Sequence, residues 1–331
     1  MGVPGGKTVA HGGDLGEVRR RHPDAPQPWI DLSTGINPLP YRVADLPADS
    51  WLRLPSHDAE RALIAAAAAR YRCEASQLVA APGTQALIQI VPRLVPRSRV
   101  AIVGPTYAEH ELNWRRHGHD VTVVARLEVA DADVVVVVNP DNPTGRLSPP
   151  QTLRGVATRL LVVDEAFIDL LPNAASLAGA LPDNAIVLRS FGKVYGLAGL
   201  RLGFAIAAMP LAQRLREELG PWAVSGPALS IGAAALADDA WLQETAARLA
   251  GDARKLDALL LSAGFAVVGG TPLFRLASHP KAQEKVEDLA RQGIHVRAFA
   301  DRPTCVRFGL PRGDEEFRRL SAALQVPQKV R

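Results

Sequence analysis

Residues 134–145 read Val134-Val135-Val136-Val137-Val138-Asn139-Pro140-Asp141-Asn142-Pro143-Thr144-Gly145, a β-branched run that stops at two Asn-Pro steps. Branched side chains favour the pleated strand, and a run without polar alternation belongs to a strand covered on both faces. The two Asn-Pro steps turn the backbone that follows and fix their asparagines near the strand's end. Similar short apolar runs recur on either side, at Gln77 to Ala81, Val100 to Val103, Val121 to Ala125, Leu160 to Val163 and Ala185 to Leu188. Helical patterns separate them at Asp58 to Tyr71, Gln85 to Leu94 and Glu109 to His117. The alternation predicts an α/β fold with a mostly parallel sheet between two helical layers.

The character changes near Asp238. Ala240 to Ser262 has apolar residues at helical spacing and ends near Gly264. Strands are expected at Ala266 to Val268, Leu273 to Leu276 and Val306 to Phe308, with helices at Ala282 to Gln292 and Glu315 to Leu324. The predicted organisation is therefore a Gly- and Pro-rich arm over residues 1–40, a large domain over 41–237 and a smaller α+β domain over 238–331.

Composition narrows the function classes. A chain of 331 residues buries a full core, and 47% hydrophobic with 22% charged residues is ordinary for a soluble protein. The net charge of +4 is mild and its lysines and arginines are dispersed. Arg19, Arg20 and Arg21 form the densest cluster, which reads as a solvated patch, so no nucleic-acid partner is expected. Cys73 and Cys305 match no metal or redox spacing and fit a reducing compartment. The N-terminal residues lack the apolar core of a signal peptide, and the valine run is too short to cross a bilayer. The expectation is a cytoplasmic protein with no membrane partner and no metal.

Ligands of open α/β sheets bind at the strand ends, so the loops after the apolar runs carry the chemistry. Ala81-Pro82-Gly83-Thr84-Gln85 is a turn into a helix start, whose outward N–H groups suit a phosphate; many such turns are only structural. Asp164, at the end of Leu161-Val162-Val163, is a strand-end carboxylate that needs a cationic partner or serves as a helix cap. Lys193, in Ser190-Phe191-Gly192-Lys193-Val194-Tyr195-Gly196, sits among glycine, aromatic and aliphatic residues, a setting that lowers an amine's pKa and suits Schiff-base chemistry. Arg201 is eight positions further on, within reach as a planar anion clamp.

Together, the Asn-Pro-x-Asn-Pro-Thr-Gly, Asp-Glu-Ala-aromatic and Ser-x-x-Lys motifs with the downstream arginine resemble fold-type I enzymes of the aspartate aminotransferase superfamily, which depend on pyridoxal 5'-phosphate (PLP). The resemblance implies that Lys193 carries PLP as a Schiff base and moves protons at the substrate's Cα. It implies that Asp164 pairs with the pyridine N–H and that Asn142 hydrogen-bonds the ring's O3'. Gly83, Thr84, Ser190 and Arg201 would hold the cofactor phosphate, with Tyr107 stacked on the ring. A homodimer with active sites at the subunit interface is implied as well. Two positions depart from many relatives: Phe167 and Leu54 stand where tyrosines are common, so the contacts those hydroxyls make are in doubt.

The arm motifs His11-Gly12-Gly13-Asp14 and Ile30-Asp31-Leu32-Ser33-Thr34-Gly35-Ile36-Asn37-Pro38 resemble the threonine-phosphate decarboxylase branch of cobalamin biosynthesis, close to histidinol-phosphate aminotransferase. That branch converts L-threonine O-3-phosphate to (R)-1-aminopropan-2-yl phosphate and carbon dioxide. A substrate of this kind carries two anions. Arg307 matches the superfamily's α-carboxylate arginine, and Arg297 stands where relatives with phosphorylated substrates place another. Either is also readable as a strand residue with a solvated tip. Arg312 is a third candidate, and Asn37, Ser33 and His11 are candidate pocket residues. Rival readings are a histidinol-phosphate-type aminotransferase and a catalytically silent PLP-fold regulator or scaffold. A dinucleotide enzyme is excluded, because Gly196, Gly199 and Gly203 lack the Gly-x-Gly-x-x-Gly spacing.

Overall fold

The structure, a computed structural model, describes residues 12–129 and 131–325. His11 lies outside them. Twelve strands occur among the described residues: β1 (Ile30–Leu32), β2 (Leu78–Ala81), β3 (Arg99–Val103), β4 (Asp120–Val124), β5 (Val134–Val138), β6 (Leu160–Asp164), β7 (Ala185–Ser190), β8 (Gly203–Ala207), β9 (Ala266–Thr271), β10 (Phe274–Ser278), β11 (Ile294–Ala298) and β12 (Cys305–Gly309).

The valine run is β5, buried at every position, an interior strand of a seven-stranded sheet ordered β2-β8-β7-β6-β5-β3-β4. The strands β3 to β7 pair in parallel, while β8 is antiparallel to both of its neighbours. One face packs on Leu63 and Tyr71 of the helix His57–Tyr71 and on Leu229 and Leu236 of the helix Gly226–Ala237. The other meets Leu87 of Thr84–Ile90, Trp114 of Ala108–Arg116 and Leu215 of Met209–Leu219. The helix expected through Leu94 stops at Ile90 and continues as a 3-10 turn over Val91–Leu94, because Pro92 has no N–H to give the ladder.

The second sheet is ordered β1-β11-β12-β10-β9. It packs on the helices Asp239–Ser262, Ala282–Arg291 and Gly313–Gln325 around Leu256, Leu289, Phe308 and Leu320. The arm supplies β1, which pairs in parallel with β11. The two sheets meet backbone to backbone. The Gly270 N–H donates to the Thr144 carbonyl at 2.9 Å, and a Cβ on Gly145 would collide with the Gly270 carbonyl. This contact seats the Asn-Pro loop of the large sheet against β9, so Asn142 faces the junction between the two bodies, while Asn139 braces the loop from within through both ends of its amide on Ser148. Among the described residues no helix is long and apolar enough to cross a membrane.

Below the strand ends lies a buried ion network. Arg189, the penultimate residue of β7, donates to Glu165 Oε2 at 3.3 Å, to Ser176 Oγ at 3.1 Å and to Asp169. Its guanidinium also lies 4.3 Å from the Tyr71 ring centroid. All three charged side chains are at most 5% exposed. Removing one member of a buried ion pair strands the others at a cost of about 3–5 kcal/mol. Arg189→Ala is therefore expected to lose about that much stability in urea unfolding at fixed cofactor saturation; a loss under about 1 kcal/mol would contradict the network's role.

Candidate active site

Parallel strands deliver their ends to one edge of the sheet, and there β5, β6 and β7 release Asn142, Asp164, Ser190 and Lys193. Two cavities, ≈ 420 and ≈ 170 Å³, open at this edge and share Tyr107, Asn142, Phe167 and Lys193 in their walls. Gly83, Thr84, Asp164, Ser190 and Arg201 also line the smaller, inner cavity. Gly12, Gly35, Arg297, Asp301, Arg302 and Arg307 also line the outer one.

In the inner cavity, Gly83 takes φ +82°, a left-handed conformation at the helix start. A Cβ there would sit 2.6 Å from Arg201 Nη2, so glycine is what lets the guanidinium close on the turn. Arg201 itself has φ +55° and donates to the Ala198 carbonyl at 3.1 Å. Asp164 is buried, with Oδ1 accepting from the Ala166 N–H at 3.1 Å. Its Oδ2 lies 2.9 Å from Nε2 of the buried His110. His110 was not singled out from the sequence. The one available signal was Asp164's need for a partner, which does not say where in the chain that partner lies. Tyr107 donates to Gln85 Oε1 at 3.3 Å, and burial pushes its hydroxyl up to about 12.

Lys193 stands where the two cavities meet. Its Nζ lies 5.6 Å from the centre of the Phe167 ring, which in turn packs edge-on against Phe274. Burial pulls the amine down to about 8; Arg307 and Arg201 push the same way, while Asp164 opposes them.

Arg307, on β12, donates to Asn142 Oδ1 at 2.5 Å and to the Ser33 carbonyl at 2.6 Å, with its guanidinium 5.2 Å from the Phe274 ring centroid. Burial and the nearby Arg297 lower it to about 10. Arg297, on β11, reaches the outer cavity and lies 5.6 Å from the Phe299 ring.

Three candidate residues do not line either cavity. Asn37 is buried, but its amide donates to the Val194 carbonyl at 2.8 Å and accepts from Arg248 at 3.0 Å, so it anchors the lysine segment from behind. Ser33 accepts from the Gly13 N–H at 2.8 Å and donates to Asp31 at 2.6 Å; only its carbonyl serves the site, by holding Arg307. Arg312 is exposed, at the start of the last helix, where its N–H donates to Glu316. Leu54 is also exposed, away from both cavities.

Two bodies meeting over a strand-end lysine, with a buried carboxylate, a glycine turn and an arginine beside it, define a class. The aminotransferase class I and II profile matches residues 29–324, and the chain belongs to that family. Similarity to particular members runs the length of the chain. It is 41% identical over 326 residues to the threonine-phosphate decarboxylase of Pseudomonas aeruginosa, covering 96% of this chain and 97% of that protein. It is 43% identical over 327 residues to a threonine-phosphate decarboxylase of Sinorhizobium sp, with the same coverage. The fold matches histidinol-phosphate aminotransferase from Sinorhizobium meliloti, solved with pyridoxal-5'-phosphate, at a TM-score of 0.77 and 23% identity over 96% of this chain and 95% of that one.

The lowered amine gives a measurable expectation. In cofactor-free protein, acylation of Lys193 followed by mass spectrometry should rise with pH through a midpoint of about 8, since the protonated amine is inert below it. A midpoint near about 10.4, that of an ordinary lysine, would contradict the burial and arginine effects.

Proposed function

We propose that this protein decarboxylates L-threonine O-3-phosphate to (R)-1-aminopropan-2-yl phosphate and carbon dioxide, with PLP held at Lys193, as a cytoplasmic homodimer. The observation that carries this reading is the whole-chain similarity to two threonine-phosphate decarboxylases. The donor set of the inner cavity suits PLP: an anion cradle for its phosphate, an amine for its aldehyde and a buried carboxylate for its ring nitrogen. Bound PLP supplies an electron sink for the bond broken at the substrate's Cα.

The chain's residues then divide the remaining work. Gly83, Thr84, Ser190 and Arg201 would hold the cofactor phosphate, and Tyr107 would lie against the ring. The Asp164 carboxylate, oriented by His110, favours a protonated ring nitrogen. Asn142 Oδ1 accepts from Arg307, which would leave its Nδ2 to donate to the ring oxygen. Phe167 brings an apolar face and no hydroxyl, so nothing at that position duplicates Asn142's bond.

Arg307 would bind the α-carboxylate and Arg297 the substrate phosphate. Held at both ends, the substrate has little freedom to rotate about Cα, and that orientation decides which bond aligns for cleavage. A decarboxylase must align the carboxylate bond and return a proton to Cα. Lys193, with its amine lowered to about 8, still holds its proton in a substantial fraction near that pH and would give it to Cα.

The test is to give PLP-loaded protein L-threonine O-3-phosphate and follow carbon dioxide and aminopropanol phosphate. Catalytic release is expected, falling by about 10²–10⁴-fold or more in Lys193→Ala. Absence of release, with the cofactor turning to its pyridoxamine form on adding histidinol phosphate or glutamate, would assign an aminotransferase instead. Protein that takes up no cofactor would point to the silent scaffold.

A further inference from the structure

The connection between β11 and β12 carries a cation at the outer cavity that the roles above leave unused. Arg302 lines that cavity together with Arg297, Arg307 and Lys193. Its Nη2 donates at 3.0 Å to the Pro105 carbonyl, a neutral acceptor on the loop that leads to Tyr107. Its Nε stands 3.8 Å from Asp301 Oδ2, too far for a hydrogen bond, and 23% of the side chain stays open.

The four cations form a series. Lys193 lies within the electrostatic reach of Arg307, Arg307 of Arg297, and Arg297 of Asp301, the neighbour of Arg302. Arg307 is committed on two sides, to Asn142 and Ser33. A phosphate monoester carries about −1.5 to −2 charge at pH 7 and offers three acceptor oxygens. One guanidinium neutralises only part of that charge. Asp301 Oδ2 stands 3.8 Å from Arg302 Nε on a carboxylate that is more than half open to solvent. A dianion entering the cavity can replace it, with planar N–H pairs matched to its oxygens.

We propose that Arg302 is a specificity-determining residue: a second arginine beside Arg297 that binds the phosphate of a phosphorylated substrate and makes the cavity select a charged side chain over a neutral hydroxyl. The inference deepens the decarboxylase reading and rests on it for the substrate class.

The experiment uses binding without turnover. Wild-type holoenzyme and Arg302→Gln, which retains a donor for the Pro105 carbonyl, are titrated with 1-aminopropan-2-yl phosphate and with unphosphorylated 1-aminopropan-2-ol. The readout is the change in cofactor absorbance. Wild-type protein should prefer the phosphorylated amine. In Arg302→Gln the affinity for that amine should fall about 10- to 100-fold, the size of lost hydrogen bonds to a charged group, while the neutral amine binds as before. Parallel weakening of both amines would make Arg302 a loop-positioning residue and overturn the proposal. So would an unchanged variant, or a wild-type protein indifferent to the phosphate. Failure of the decarboxylase reading shows separately, as binding of L-threonine O-3-phosphate by wild-type protein without release of carbon dioxide.

Discussion

A guanidinium buried between two domains is the constraint around which the site is built. Arg307 comes from the small sheet, yet its two fixed hydrogen bonds go to Asn142 of the large domain and to Ser33 of the arm. A buried charge without such partners would be expensive, so the cation ties three separate stretches of chain into one junction. The consequences pass inward. Asn142's amide is oriented, with one end taken and the other left to donate. Phe274 is held under the guanidinium and against Phe167, which faces Lys193. The lysine, buried next to a cation, gives up its proton more readily than an exposed amine.

Adjacent residues at the strand ends serve opposite faces. Asp164 and Ser190 turn toward the inner cavity, while their neighbours Glu165 and Arg189 turn away and pair with each other. The alternation of the pleat produces that division without extra sequence. A chemical layer thus sits directly on an ionic layer, and both depend on the register of β6 against β7. Asn37 and Arg248 add support from a third direction, holding the backbone around Lys193 through the Val194 carbonyl.

The fold was legible where burial leaves a continuous apolar run, as in Val134–Val138 and Leu160–Asp164. It was illegible where a strand does other work. β11 interleaves His295 and Arg297 with its apolar residues and so lacks the expected run, and β1 is three residues long with Asp31 at its centre. β8 was hidden behind the glycine-rich lysine motif. Within the site, the motif residues Gly83, Asn142, Asp164, Ser190, Lys193 and Arg201 do converge. Arm residues were harder to read. A buried polar side chain such as Asn37 looks the same in sequence whether it faces a ligand or the backbone behind it. His110 and Arg302 were missed for a related reason: each is defined by a partner distant in the chain, Asp164 for one and Pro105 for the other.

Under the proposed function, Arg307 holds the carboxylate that leaves. The most direct measurement compares L-threonine O-3-phosphate with 1-aminopropan-2-yl phosphate, which differs only by that carboxylate. Binding would be read by cofactor absorbance in a Lys193→Ala background where turnover is blocked, with Arg307 intact and with Arg307→Met. With Arg307 intact the carboxylate-bearing compound should bind more tightly, and Arg307→Met should remove that preference, with any loss through the Asn142 and Ser33 contacts falling equally on both compounds. A preference that survives Arg307→Met would place the carboxylate elsewhere and rule out this role for Arg307.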